Sequence, residues 1–277
     1  MLLSGAARLR AARWVRGFVG PPEAVACAKR LDLVKLAADG KNEDLVFVRQ
    51  IEADVPRSGV DSQAERDELE TVLLAWLGLN RAIGYTQGFN AVAALLLRTF
   101  RLGGVAAPAR MALAALGSML RINIGMVPLG VEDRLPLEQG QAVAREIVLE
   151  VVSASQSLRV VEAGLDVLTV LVFRVFPVLF VGFWSDDSLP LVLDYILEGF
   201  TSAHLVSCVI AARRCRHVVS ASILLHRKLF VLNAEDVRQS FVIFESCCGI
   251  APARHVAEIV EMARHLERVE ALGGAAV

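Results

Sequence analysis

The chain has 277 residues, of which 55% are apolar and 21% are charged, and its formal net charge is −1. That length allows one large domain or two small ones with a packed core, and the small net charge excludes a general electrostatic attraction to nucleic acid or anionic lipid. Aromatic residues make up only 6%, so alanine, valine and leucine supply the apolar content and favour helices.

The N-terminal segment carries several arginines before the first acidic residue, Glu23. This is the composition of a mitochondrial transit peptide, and also that of an amphipathic first helix whose arginines lie in water. We expect the helix, because Pro21 and Pro22 end the stretch, and we treat residues 1–14 as a leading or flexible segment. The arginines are Arg8, Arg10, Arg13 and Arg16.

A first patterned helix precedes Pro56. Apolar residues recur at helical spacing from Leu45 to Val55. Since a residue before proline is pushed out of the helical region, the helix should end near Val55. Arg57 is then predicted on the turn that follows.

Two buried helices come next. Ser62 and Glu65 have the spacing of a capping box and predict a helix start. After the loop marked by Gly84, a second apolar stripe predicts a helix that begins near Gln87. Gln87 should therefore lie at a loop-to-helix junction with its amide projecting outward.

The C-terminal half also has helical patterns. We expect a helix over 109–121, a loop over 125–136, a long helix over 137–152 and further helices beyond, because no strand-like alternation of convincing length is present. Residues 165–184 are apolar enough to span a bilayer. The central Arg174 favours a buried core helix, with a membrane-embedded or organelle-imported protein as the alternative. These patterns predict an all-α fold of about a dozen helices.

Few other residues offer chemistry. The chain has no phosphate-binding glycine loop, so it has no recognisable nucleotide site of its own, and its histidines lack metal-ligand spacing. The five cysteines suit free thiols in a reducing compartment. The basic cluster Arg213–His217 is interpreted as the solvated last turn of a helix, with contact to an acidic partner or lipid head group as the alternative.

Considered singly, Arg57 and Gln87 have ordinary explanations. Arg57 could form a surface salt bridge with Asp54, worth under about 1 kcal/mol, and Gln87 could cap the next helix. The surrounding residues change this. The segments IEADVPR (51–57) and IGYTQGFNAVAALLL (83–97) resemble the TBC domain of Rab GTPase-activating proteins, whose pattern is I-x-x-D-x-x-R followed about thirty residues later by Y-x-Q-G.

The resemblance covers about residues 15–245. A third segment, LDYILEG (193–199), is similar to the family's W-D-x-x-L-x-x-G element with Leu193 in place of tryptophan, and Ser58 stands where threonine is more usual. The resemblance implies an all-α TBC-like domain of two helical subdomains without a sheet. Residues 1–130 would form the first, carrying both motifs, and residues 131–277 the second.

The resemblance also implies a mechanism. Arg57 would be an arginine finger that stabilises charge on the transferring phosphoryl group, and Gln87 a glutamine finger that positions the attacking water, both inserted into a partner's nucleotide pocket. The chain would need no cofactor or metal of its own, since GTP and Mg²⁺ belong to the partner GTPase. Supporting roles are expected for the following neighbours: Asp54, Tyr85, Gly88 and Asn90.

The partner implied is a Rab-type small GTPase in its GTP form. We therefore expect a GTPase-activating protein of vesicle trafficking that is cytoplasmic and recruited to endomembranes, with at most peripheral membrane association and no nucleic-acid binding. The alternative is a non-catalytic TBC-type module that binds a small GTPase or scaffold without stimulating turnover. Binding to a GTP-loaded GTPase without faster hydrolysis would distinguish the two.

Overall fold

A computed structural model describes residues 5–81, 83–126, 145–146, 148–149, 188–200, 205–225 and 253–272. Within these ranges the backbone forms helices joined by turns, and no strand occurs among them. The prediction of an all-α fold is thereby confirmed. The expected core helix at 165–184 lies outside the described residues, as do most of the loop at 125–136 and the helix at 137–152.

The chain divides into two compact units. The first comprises Met1–Ile124, Leu129–Arg134 and Gly199–Cys208, and the second comprises Gly125–Pro128, Leu135–Glu198 and Val209–Val277. The expected division into subdomains 1–130 and 131–277 stays a prediction.

The first unit contains most of the described helices, numbered here in chain order. The set is α1 (Gly5–Trp14), a π-helical turn (Val15–Val19), α2 (Pro22–Lys29), α3 (Leu33–Lys41), α4 (Leu45–Asp54), a 3₁₀ turn (Val55–Arg57), α5 (Gln63–Leu79), α6 (Phe89–Leu102) and most of α7 (Pro108–Met126). In α1, Trp14 and Ala11 are fully buried while Arg8 is exposed, so this helix is packed on one side.

Side-chain caps fix the starts of three of these helices. Asp32 accepts from the backbone N–H of Lys35 at the start of α3, and Asp44 accepts from that of Val46 at 2.9 Å at the start of α4. The capping box of α5 is present as predicted, with the Ser62 hydroxyl accepting from the Glu65 N–H at 3.2 Å. Each such cap stabilises a helix by about 1 kcal/mol.

The core of the first unit lies between α5 and its neighbours. The predicted stripes of α5 and α6 are buried, and each such side chain contributes about 1.5–3 kcal/mol through removal from water. Helices α3 and α5 approach closely because Gly40 has no side chain. A Cβ at this position would stand only 1.9 Å from the carbonyl oxygen of Leu74. The largest fully buried side chains of α5 and α6 are Leu69, Leu73, Leu77, Leu96 and Phe100.

The second unit contains α8 (Leu189–Ile196), α10 (Ala253–Ala271) and most of α9 (Leu205–Leu225). The interpretation of the basic cluster Arg213–His217 as a last helical turn is wrong, because α9 continues to Leu225. The residues after the cluster are apolar or small and contain no helix breaker, so nothing ends the helix there.

Acidic residues of α10 accompany the basic cluster. The Arg214 Nε lies 3.0 Å from a carboxylate oxygen of Glu267, and the His217 Nε2 lies 2.9 Å from Glu270. Burial lowers the pKa of His217 below its ordinary value, against the opposing effect of Glu270. The hydroxyl of the buried Tyr195 on α8 also donates to Glu267, at 3.1 Å. These polar contacts link α8, α9 and α10 within the second unit.

Within the described ranges, every helix is too short or too polar to cross a bilayer.

Two of the five cysteines, Cys27 and Cys215, lie in the described ranges and are free thiols. Burial raises the pKa of the Cys215 thiol far above its ordinary value, so this thiol stays protonated.

Candidate functional site

Arg57 lies on the turn that the sequence predicts. Helix α4 ends at Asp54, and the 3₁₀ turn that contains Pro56 ends at Arg57. The Arg57 Nε donates to the carbonyl oxygen of Ala53 at 2.9 Å, which fixes the base of the guanidinium. The side chain is nevertheless 67% exposed, so the guanidinium group is accessible to a partner.

The expected ion pair with Asp54 is present. Arg57 Nη2 lies 3.3 Å from Asp54 Oδ1, and the carboxylate is almost fully buried whereas the guanidinium is not. An ion pair with one member this exposed stabilises the fold by less than about 1 kcal/mol. Arg57 can therefore exchange this contact for a stronger anion at little cost.

Asp54 connects the two motif segments. Its Oδ2 accepts a hydrogen bond of 3.1 Å from the hydroxyl of Tyr85, which lies 31 residues further along the chain. Burial of the phenol raises the pKa of Tyr85 far above its ordinary value, and the charge of Asp54 adds to this effect. The hydroxyl consequently remains protonated and remains a donor to the carboxylate.

Asn90 forms the second connection. Its Oδ1 accepts from the backbone N–H of Gly88 at 3.0 Å, and its Nδ2 donates to the Ser58 hydroxyl at 2.8 Å and to the carbonyl oxygen of Asp54 at 3.3 Å. The Ser58 hydroxyl donates to the same carbonyl oxygen at 2.9 Å. Since each buried bond of this kind contributes about 0.5–1.5 kcal/mol, Asn90 holds the start of α6 to the turn that carries Arg57.

Gln87 lies at the predicted loop-to-helix junction. The N-cap of α6 is Gly88, in a left-handed conformation with φ of 106°, and no side chain caps the helix. The alternative in which Gln87 caps α6 is therefore wrong. Its side chain is exposed, and among the described residues its carboxamide forms no hydrogen bond, so both its oxygen and its amide hydrogens are available to a partner.

The loop that carries Gln87 is packed against two helices. The Trp76 Nε1 of α5 donates to the carbonyl oxygen of Gly84 at 3.1 Å, and a Cβ at Gly84 would stand 2.5 Å from the Phe47 ring of α4. The Tyr85 and Phe89 rings meet edge to face at 5.9 Å between centroids. These contacts make the loop rigid up to the two exposed residues, Thr86 and Gln87.

The structure brings five of the six predicted residues into direct contact. Asp54, Arg57, Tyr85, Gly88 and Asn90 belong to one set of hydrogen bonds and ion pairs, and Gln87 is the neighbour of Gly88 without joining that set.

Sequence reasoning did not identify three positioning residues: Ser58, Phe47 and Trp76. For Ser58 a signal existed, since its hydroxyl replaces that of the threonine more usual in the family pattern. Phe47 and Trp76 look like ordinary core residues in sequence, and their contacts with Gly84 become visible only in the fold.

The exposed groups of Arg57 and Gln87 offer charge and hydrogen bonding. They are a guanidinium and a carboxamide, which neither act as nucleophiles nor titrate near neutral pH. The described ranges contain no group of three or more side chains suited to holding a metal ion. The expectation that GTP and Mg²⁺ belong to a partner stays a prediction.

A family assignment agrees with this site. The profile of the Rab-GTPase-TBC domain matches residues 36–217, about two thirds of the chain and inclusive of all three motif segments. The chain therefore belongs to the Rab-GTPase-TBC domain family, whose members interact with Rab small GTPases. No curated protein matches the chain.

Proposed function

We propose that this protein accelerates GTP hydrolysis on a Rab-type GTPase by supplying Arg57 and Gln87 in trans. The observation that carries the proposal is the pairing of these two exposed side chains on segments joined through Asp54 and Asn90. Membership of the family supports it.

The chemistry of the two groups supports distinct roles. Phosphoryl transfer depends on positioning and on stabilising charge at the phosphoryl oxygens. Arg57 would give up its weak contact with Asp54 and place its planar guanidinium against those oxygens, which it can bind with two parallel hydrogen bonds. Gln87 would accept from the attacking water through its carbonyl oxygen and orient it towards the phosphorus atom.

GTP and Mg²⁺ are supplied by the partner in this proposal. The protein would act on the GTP-loaded form in the cytoplasm, at the endomembranes where such GTPases reside, with at most peripheral contact with the lipid. Vesicle trafficking is the process this would serve.

Single-turnover GTP hydrolysis by a panel of Rab GTPases tests the proposal. The wild-type protein should accelerate at least one of them, and Arg57→Ala should lower that acceleration by about 10³-fold or more, the range known for arginine fingers supplied in trans. Arg57→Lys should restore little, because an ammonium group lacks the planar fork. Gln87→Ala should also abolish most of the acceleration while leaving binding of the GTP-loaded GTPase intact.

Two exposed residues of the same types provide matched controls. Arg8 is exposed on α1 and Gln63 is exposed at the start of α5, and neither belongs to the site. Arg8→Ala and Gln63→Ala should accelerate hydrolysis as the wild type does. If the wild type binds GTP-loaded GTPase without accelerating hydrolysis, or if both finger variants remain fully active, the proposal is wrong and the non-catalytic binding module takes its place.

A further inference from the structure

Helix α4 carries an exposed row of residues that ends at the arginine finger. Leu45, Arg49 and Ala53 recur every fourth residue, the spacing of one helix face, and all three are exposed. Arg57 continues the same spacing, and its Nε binds the carbonyl oxygen of Ala53. At 1.5 Å per residue the row extends about 18 Å from Leu45 to Arg57.

An apolar patch lies at the far end of this row. Leu45 and Val46, in the first turn of α4, are 60% and 67% exposed, and Ile83, in the loop that leads to Gln87, is 41% exposed. We use "α4 patch" for these three residues.

Two contacts hold the segments of the α4 patch side by side. On one flank Arg81 Nε lies 2.8 Å from Glu43 Oε1. On the other flank the Phe47 ring covers Gly84 so closely that a Cβ there would stand 2.5 Å away. Leu45 and Val46 therefore lie beside the segment that contains Ile83, and the α4 patch borders the loop that carries Gln87.

Exposure of large apolar side chains next to a rigid site has a cost. Removing the exposed part of each such side chain from water is favourable, and clusters of exposed apolar side chains mark contact sites. The same helix places Ile51 in the core with no exposed area, so Leu45 and Val46 lie outside the buried face of α4.

We propose that the α4 patch is a docking surface for the GTPase on which Arg57 and Gln87 act, which makes its side chains determinants of partner choice. The inference rests on the proposed function for the identity of the partner. A standard protein–protein interface buries about 800 Å² per partner, a disc roughly 30 Å across. Ile83 lies within about 14 Å of Gln87, because four residues span at most about 3.6 Å each, so a disc about 15 Å in radius centred near Gln87 reaches the α4 patch.

The occupant is the GTPase rather than a second copy of this chain because the α4 patch is continuous with the finger segments. Ile83 is exposed and precedes Gln87 by four residues on the same loop, so a partner that contacts Gln87 through an interface of standard size also contacts Ile83. A few residues contribute most of the affinity of an interface, and Leu45, Val46 and Ile83 are the large apolar side chains that such a partner would remove from water here.

The test measures the dissociation constant of the full chain for Rab GTPases loaded with a non-hydrolysable GTP analogue. Replacing Leu45 and Val46 together by serine should raise the dissociation constant at least about tenfold, because two partly exposed anchors are lost. In single-turnover hydrolysis, the half-saturating concentration should rise by the same factor while the rate at saturation stays near that of the wild type, since Arg57 and Gln87 are untouched.

Leu102 provides the matched control. It is 54% exposed and ends α6, about 20 Å along that helix from the residue next to the finger loop. Leu102→Ser should bind the GTPase as the wild type does. Should the serine pair fail to fold, Leu45→Ala with Val46→Ala keeps good helix formers at the start of α4 and should still weaken binding several-fold.

The outcomes separate this inference from the proposed function. Weaker binding by the α4 patch variants with no acceleration by the wild type would support the docking surface and reject the catalytic proposal. Acceleration by the wild type with unchanged affinity in the variants would reject the docking surface alone. The docking surface is also rejected if no GTPase of the panel binds, or if the serine pair changes only the self-association of the free chain in sedimentation experiments.

Discussion

Replacing Tyr85 by phenylalanine removes a single oxygen atom from the polar connection between the two motif segments. The hydroxyl donates to Asp54 Oδ2 at 3.1 Å, and Asp54 is 4% exposed, so water cannot readily replace the lost donor. A hydrogen bond to a charged group contributes about 1.5–3 kcal/mol. We therefore expect Tyr85→Phe to lower the melting temperature by roughly 3–12 °C for a chain of this size.

The same variant should affect hydrolysis through position rather than chemistry. Tyr85 precedes Gln87 by two residues, and a displacement of about 1 Å in a catalytic group can cost roughly 10²-fold in rate. We expect single-turnover acceleration of a responsive Rab GTPase to fall by about 10- to 100-fold, with a smaller change in the dissociation constant.

Tyr195→Phe is the matched control for this experiment. Tyr195 is also buried and its hydroxyl donates to a carboxylate, Glu267, at the same distance of 3.1 Å, but it lies in the second unit. Tyr195→Phe should lower the melting temperature without the loss in acceleration of GTP hydrolysis that is expected for Tyr85→Phe. If Tyr85→Phe melts as the wild type does, or if its rate falls no more than that of Tyr195→Phe, the argument that Asp54 positions the finger loop is refuted.

Three further outcomes follow from local geometry. Gly84→Ala should destabilise the protein by several kcal/mol, on the order of an overpacked core, whereas Gly59→Ala should cost only about 1 kcal/mol. The two glycines have similar positive φ values, but of the two only Gly84 faces a ring at 2.5 Å. Equal melting temperatures of the two variants would contradict this. The pKa values of Tyr85 and Tyr195, the two tyrosines of the chain, are raised above the ordinary value of 10.0. Their contribution to stability is therefore complete below pH 10 and is lost as pH rises further through the folded-state pKa values. An ultraviolet titration should show tyrosinate appearing together with unfolding, and reversible ionisation of both tyrosines in the folded protein would refute this prediction. Ser62→Ala should lower the free energy of unfolding by about 1 kcal/mol in denaturant titration, through loss of the capping box of α5, and no change would show that the cap is dispensable.

Local sequence signals predicted much of the site's scaffold. The capping box at Ser62 and Glu65 lies where expected, and the proline rule placed the end of α4 within a residue of Asp54. Gln87 lies at a loop-to-helix junction, as the glycines and the following apolar stripe indicated. Such features depend on neighbours in the chain, which is why one sequence is enough to locate them.

The connections between the two motif segments depend on residues that are distant in the sequence. The bond between Asn90 and Ser58 joins positions 32 residues apart, and no local preference of either residue predicts the other as its partner. The same applies to the packing of Phe47 on Gly84. Comparison with the family pattern indicated that Asn90 has a supporting role, whereas only the folded chain shows which atoms meet.

The error over the basic cluster has a similar origin. Arginines near a helix end favour the macrodipole, and the cluster Arg213–His217 was interpreted on that local basis. In the fold, Glu267 and Glu270 of α10 provide the compensating charge, so the cations lie in the middle of α9 and not at its end. Partner residues more than fifty positions away in the chain cannot be inferred from the charge pattern of α9 alone.

The hydrogen bonds of Asn90 have a consequence for the thermodynamics of association. Because this amide already holds the start of α6 against Ser58 and Asp54, the loop's conformational entropy is lost during folding and not when a partner arrives. Within these two segments, the long side chains of Arg57 and Gln87 remain to be ordered, at about 0.5–1.5 kcal/mol each. Calorimetry of complex formation should accordingly show a larger entropic penalty for Asn90→Ala than for the wild type.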